Sequence, residues 1–127
     1  MTTLVKPIAY LEDMDFDSSG NLTNKDIPKD IPVVIMLQTS WCPHCTNAKP
    51  AFQKFAEKHQ GKVFCATIQA DGDRESEKKL GKAERIKNGI KPNFRGFPDY
   101  VLYENGKNLN KEIKGRSLES LEEYCGF

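Results

Sequence analysis

Apolar residues in this chain fall into short unbroken runs and helically spaced sets, and the two kinds alternate. Val33-Val34-Ile35-Met36-Leu37 is continuous and mostly branched, which predicts a buried central strand ending in Gln38-Thr39-Ser40. From Cys42 to His59, the positions Ala48, Ala51, Phe52, Phe55 and Ala56 recur three and four apart, which predicts a helix with one buried face. Pro50 falls inside that pattern and predicts a kink, and Gly61 fits the stop. Val63 to Ile68 predicts a second buried strand, followed by a turn at Asp71-Gly72-Asp73. Residues 74–88 carry a thin stripe of Leu80, Ala83 and Ile86, interrupted by Gly81, so a weaker helix is expected, closed by Asn88-Gly89. Pro92-Asn93 opens a loop, and Asp99 to Tyr103 reads as a strand. Asn105-Gly106 marks a hairpin turn, with Lys111 to Lys114 as the partner strand. Ser117 then caps a last helix with Leu118, Leu121 and Tyr124 facing inward.

Ahead of this series, Leu4 to Leu11 reads as a short edge strand, because Pro7 cannot donate to a ladder. Residues 12–32 are polar and irregular, with Pro28 and Pro32, and predict a loop holding at most one helical turn. The order β, loop, β, α, β, α, β, β, α predicts an α/β fold with a central mixed sheet and helices on both faces. The 127 residues suit a single domain, 1–127, with residues 1–32 as a divergent strand and acidic loop and 33–127 as the core.

Charge and composition narrow the function classes. Nineteen basic and eighteen acidic side chains leave a formal charge of +1, so no nucleic-acid partner is expected. The longest apolar run, Val33 to Leu37, is too short to span a membrane. Met1 to Pro7 has no basic region leading into an apolar stretch, so no signal peptide is expected, and a cytoplasmic location follows as the default. Four cysteines in a reducing compartment point to redox chemistry or metal rather than structural bridges. The segment from about 71 to 95 is basic. Its seven Lys or Arg from Arg74 to Lys91 are expected to form a solvated face.

The chemistry concentrates in Trp41-Cys42-Pro43-His44-Cys45, at the junction of a buried strand and a helix. The first turn of a helix carries unpaired N–H groups and the positive end of the dipole, so a thiolate there is stabilised. Pro43 suits the first helical position, where its missing N–H is not needed. Cys45 follows nearly one turn later, so the two sulfurs can meet. His44 can donate a hydrogen bond to the Cys42 thiolate or, when protonated, lend it positive charge. Either would make a disulfide here easier to reduce. Half of a zinc site is the competing reading, but a second close pair is absent from the sequence, and no metal is expected. Inert, buried cysteines are the other alternative.

These residues resemble the thioredoxin family and, in several details, the domains of protein disulfide isomerases. Trp41 precedes the cysteine pair, Pro50 follows Cys42 by eight residues, and Arg95-Gly96-Phe97-Pro98 matches the isomerases' Gly-aromatic-Pro segment. Asn105-Gly106-Lys107 matches the hairpin, and Gly115 the glycine before the last helix. The resemblance runs from Val33 to the C-terminus. It implies a thioredoxin fold and a thiol–disulfide oxidoreductase acting on protein substrates, with a partner reductase or oxidase. The chain would act as a monomer, with no cofactor beyond a redox-active Cys42–Cys45 disulfide. Cys42 would be the exposed nucleophile and Cys45 the shielded resolving thiol. Phe97 and a cis-Pro98 would form the platform for an extended substrate segment, with Trp41 as an apolar wall.

The sequence also departs from the family. A buried acid common under the resolving cysteine is replaced by Met36, and its usual lysine companion by Thr67. Cys-Pro-His-Cys itself resembles the motif of bacterial periplasmic oxidases. A non-catalytic binding module with a vestigial or structural cysteine pair is therefore the alternative, its functional surface being the long basic segment. Elsewhere, Asp15, Asp17, Ser19, Gly20, Asn21, Leu22 and Asp26 follow the spacing of a calcium-binding loop, although the flanking prolines favour a plain acidic turn. Cys65 is expected in the core, Cys125 on a fraying helix end, and His59 against a helix C-terminus.

Overall fold

The computed structural model describes residues 3–127; Met1 and Thr2, the start of the segment read for a leader, lie outside the described residues. A five-stranded mixed sheet is ordered β1-β3-β2-β4-β5. Its strands are β1 (Ala9–Tyr10), β2 (Val33–Gln38), β3 (Phe64–Gln69), β4 (Asp99–Glu104) and β5 (Lys107–Asn108). The central strand β2 pairs parallel with β3 and antiparallel with β4, and every residue of it is buried. That burial on both faces explains its unbroken apolar run.

Helices α1 (Pro43–Lys58) and α4 (Leu118–Tyr124) cover one face. Val34, Met36, Phe52, Phe55, Tyr100, Leu102 and Leu121 pack between them and the sheet. Short helices α2 (Glu75–Leu80) and α3 (Ala83–Arg85), with the wide turn Ile86–Ile90, cover the other. There Ile35, Leu37, Ile68, Leu80, Ile86 and Val101 form a second core layer. No helix among the described residues is long and apolar enough to cross a membrane.

Several sequence expectations need correction. The first strand is only Ala9–Tyr10, because Val5 and Lys6 instead bind the buried Gln53 side chain of α1. The fifth strand begins immediately after the hairpin turn rather than at Lys111. Asn105 (φ 53°) and Gly106 (φ 77°) turn the chain tightly, so pairing resumes at Lys107 and stops near Asn110, itself left-handed. Lys111 to Lys114 crosses toward α4 instead, where Lys111 Nζ donates to the Tyr124 carbonyl and Ile113 joins the core.

The basic segment is broken, not one helix. Gly81 separates α2 from α3, and Ala83 is exposed, so the inward stripe is Leu80 and Ile86. Two of its seven cations are not solvated. Arg85 pairs with Asp13 at 2.8 Å, and Lys91 is 5% exposed. Residues 12–32 form the expected loop, with a single turn at Asp13–Asp15, yet they supply Phe16, Leu22 and Ile27 to the core. Helix α1 continues through Pro50, whose ring lies on the exposed side.

Candidate active site

Strand β2 ends at Gln38, and the chain turns through Thr39-Ser40-Trp41 into α1. Ser40 fixes that turn: its N–H donates to both Asp71 carboxylate oxygens (3.0 and 3.1 Å) and its hydroxyl to Oδ2. Burial alone would raise the Asp71 carboxyl, but the bonds from Ser40 hold it below the usual carboxylate range. Cys42 is the N-cap of α1 and Pro43 its first residue. The Cys45 N–H donates to Cys42 Sγ at 3.1 Å, so a sulfur does what a serine or aspartate oxygen does at other helix starts. An anion at that sulfur faces the unpaired N–H groups and the positive helix end.

The Phe97–Pro98 peptide is cis, and the Cys42 thiol donates to the Phe97 carbonyl at 3.6 Å. Trp41, 70% exposed, stands edge-on to Phe97 at 6.4 Å, and Phe94 supports Phe97 from behind at 5.0 Å. Trp41, Cys42, Phe97 and Pro98 are thus brought together, with a large apolar ring open to solvent beside the sulfur. His44 and Pro43 are exposed on the first turn of α1. Cys42 is less open than expected. It is 4% exposed against 0% for Cys45, because the cis-proline segment covers its sulfur. The structure is of the dithiol: all four cysteines are unbridged.

Burial, and then the hydrogen bond with Cys42, push the Cys45 thiol up to about 12. A backbone hydrogen bond from Thr39 and the charge of Lys49 act the other way. Sequence reasoning missed Lys49. It is 2% exposed and one turn beyond Cys45. Its place on the inward stripe Cys45, Ala48, Lys49, Phe52 was the available signal. Ser40, Asp71 and Lys91 were also missed as parts of the site. Lys91 Nζ donates to the Tyr100 carbonyl (3.1 Å) and meets Asp99 (3.5 Å) and Glu112 (3.1 Å), fixing the strand that begins one residue after Pro98.

Other singled-out residues lie away from this cluster. Cys65 is in the core, and Cys125 is half-buried against the same layer, its thiol pushed up to about 12 by burial. His59 caps α1 and meets Glu122 at 2.7 Å. In the acidic loop, Asp17 accepts from the N–H groups of Ser19 and Asn21, and Asp15 from the Asn24 amide and the Glu12 N–H. Those carboxylates serve the loop's own donors. Met36 pairs in register with Thr67 on one side and Tyr100 on the other, and the Thr67 hydroxyl donates to the Met36 carbonyl at 2.7 Å.

The model of the thioredoxin family matches residues 18–126. A thioredoxin-like protein of Invertebrate iridescent virus 6 is 45% identical, the alignment covering 94% of this chain and 92% of that one. Thioredoxin Asp f 28 of Aspergillus fumigatus is 30% identical over 72% of this chain and 73% of its own. Protein disulfide-isomerase A5 of Bos taurus is 30% identical over 73% of this chain, but only 16% of that longer protein. Among solved structures, the Trx4 domain of ERdj5 superposes with a TM-score of 0.60 at 18% identity, covering 91% of this chain and 90% of that one. Human ERp44 in its zinc-bound form gives 0.65 at 18% identity, over 94% of this chain and 30% of that one. The sheet and its helices are therefore a thioredoxin fold, and with a family match spanning residues 18–126 this chain belongs to the thioredoxin family.

Proposed function

We propose that this protein is a thiol–disulfide oxidoreductase that exchanges disulfides with protein substrates through Cys42 and Cys45. The observation that carries the reading is the capped sulfur: Cys42 Sγ accepts from the Cys45 N–H at the start of α1, with Cys45 fully buried behind it. Cys42 as thiolate attacks one sulfur of a substrate disulfide. That S–S bond breaks, the distal sulfur leaves as a thiol, and Cys42 holds a mixed disulfide. Cys45 then loses its proton and attacks Cys42 Sγ. The substrate's second sulfur departs and ends as a thiol, and the protein is left with a Cys42–Cys45 disulfide. Two electrons have passed from the pair to the substrate, and the reverse sequence oxidises a dithiol. No cofactor is needed beyond the pair itself.

The remaining roles follow from position. Trp41 and the half-buried Phe97 form the apolar rim where an extended substrate segment lies, with the buried cis-Pro98 following Phe97 in the chain. Pro43 presets the helix start, and His44, exposed next to Cys42, makes the pair a stronger oxidant by favouring its reduced state. Insulin reduction driven by dithiothreitol tests the reading. The wild type is expected to accelerate precipitation of the insulin B chain, and Cys42→Ser to fall to the uncatalysed rate. Equal rates for the two proteins would favour the binding-module reading instead. His44→Gly is expected to make the pair more reducing in equilibrium with glutathione.

A further inference from the structure

Nine glycines stand in this chain, and all but Gly96 are explained by the protein itself. Five hold a left-handed φ, where a side chain is strained. A Cβ on Gly72, Gly81 or Gly115 would strike Glu77, Ala70 or Ser120. Gly96 has neither reason: its φ is not left-handed, and a Cβ built there meets nothing within 4 Å. Alanine at such a position restricts the unfolded chain without straining the folded one, so glycine there costs stability. Where neither a turn nor packing requires it, glycine marks the close approach of another chain or a ligand. The surroundings point to what approaches. Gly96 is exposed and directly precedes Phe97, whose carbonyl accepts from the Cys42 thiol at 3.6 Å. Among the described residues, the N–H groups of Arg95, Gly96 and Phe97 and the carbonyls of Arg95 and Gly96 have no hydrogen-bond partner. A row of bare main-chain donors and acceptors is what an extended peptide pairs with. The Trp41 ring, 70% exposed and edge-on to Phe97, bounds the same stretch.

Resting on the exchange reading above, we infer that Gly96 is the clearance over which the main chain of a protein substrate reaches Cys42, and that its missing side chain sets a preference for protein disulfides over small ones. A disulfide within or between polypeptides brings two backbones to the attacking sulfur. One pairs with the free groups of residues 95–97, at the ~4.8 Å spacing of neighbouring strands. The other leaves across the same surface, and a side chain at position 96 would stand in its way. Small disulfides carry no second backbone and reach Cys42 without crossing Gly96. Gly96 therefore touches substrate but takes no part in making or breaking bonds. The transfer of sulfur, protons and electrons is the exchange described above, and its residues Cys42, Pro43, His44 and Cys45 are unaltered by a change at Gly96.

Gly96→Ala and Gly96→Val test this, since a Cβ has open space at that position. Pre-reduced protein is mixed with insulin or with dithiobis-nitrobenzoate, quenched with acid at intervals and alkylated, and the rate constant for oxidation of the Cys42 and Cys45 pair is read with each. With insulin, Gly96→Val is expected to react about tenfold more slowly than wild type, the size of one main-chain hydrogen bond lost, and Gly96→Ala about threefold more slowly. With the small disulfide, both variants are expected to keep the wild-type rate. Thermal unfolding is expected to place the Tm of Gly96→Ala about 2–5 °C above wild type. A wild-type insulin rate in Gly96→Val would overturn the inference. Equal losses with both reagents would also overturn it, because the side chain would then obstruct Cys42 itself. A Tm of Gly96→Ala below wild type would assign the glycine to the fold and overturn it as well. Each of these outcomes leaves the exchange reading intact, whereas a wild type whose pair is oxidised by neither reagent would overturn both.

Discussion

Replacing Lys91 by methionine removes the charge beneath the cis-proline segment while keeping most of the side chain's bulk. Lys91 Nζ contacts the Tyr100 carbonyl, Asp99 and Glu112, and only 6% of the side chain is exposed. Breaking a buried ion pair by removing one partner costs about 3–5 kcal/mol when the other charge is stranded. Here Glu112 is 59% exposed and can return to water, whereas Asp99 is 21% exposed and cannot do so fully. The loss should therefore be about 2–3 kcal/mol, close to one hydrogen bond to a charged group plus part of a desolvated carboxylate. For a chain of this size that lowers Tm by about 10 °C.

The deficit also has a pH signature. Burial already raises the Asp99 carboxyl, and Lys91 is one of the groups that lowers it. Without Lys91 the folded-state pKa rises further above the unfolded value. Such a carboxyl favours the folded protein while protonated and loses that contribution as pH rises through the folded pKa. Urea unfolding of both proteins should show the full deficit at about pH 7 and a clearly smaller one near pH 4. A deficit below about 0.5 kcal/mol, or one equal at the two pH values, would refute the claim that Lys91 neutralises a buried carboxylate.

Three further outcomes are expected. With Cys42 replaced by serine, Cys45 should resist iodoacetamide at about pH 8–9 in the folded protein and react quickly once unfolded, because burial holds its thiol up near 12; mass spectrometry of the alkylated protein reads this directly. Asp71→Asn should lower stability at neutral pH by weakening the clasp on Ser40. A carboxyl held below its unfolded pKa stabilises above that value, so the difference from wild type should vanish as pH falls below about 4 in pH-dependent unfolding. Gly89→Ala should destabilise by at least about 2 kcal/mol in thermal unfolding, since φ is +105° there and an added Cβ would meet the Ser19 carbonyl.

The parts of the fold visible in the sequence are those where a single local pattern decides the outcome. Val33 to Leu37 is apolar on both faces because β2 is central, and the stripe through Phe52 and Phe55 is the face that α1 buries. Cys42, Pro43 and Cys45 were legible together because helix capping is a property of adjacent residues. What escaped notice depends on partners distant in sequence. Leu22 and Ile27 look like loop residues until the other sheet face is there to receive them. Lys91 reads as one more surface cation until Asp99 and Glu112 converge on it. Lys111 to Lys114 lies where a partner strand after the hairpin turn was expected, but the tight turn at Asn105-Gly106 makes Lys107 and Asn108 the residues that pair. The Ser40–Asp71 clasp joins residues 31 positions apart, and nothing local marks either one.

The redox state of the Cys42 and Cys45 pair decides between disulfide exchange and a mere binding module. Wild-type protein should be equilibrated across a series of reduced and oxidised glutathione ratios, quenched with acid, alkylated and mapped by peptide mass spectrometry. The result predicted is a single two-electron transition in which Cys42 and Cys45 become linked to each other, while Cys65 and Cys125 remain thiols throughout. A chain in which Cys42 and Cys45 stay alkylatable at every ratio, or in which the oxidised species links other cysteines, would contradict it.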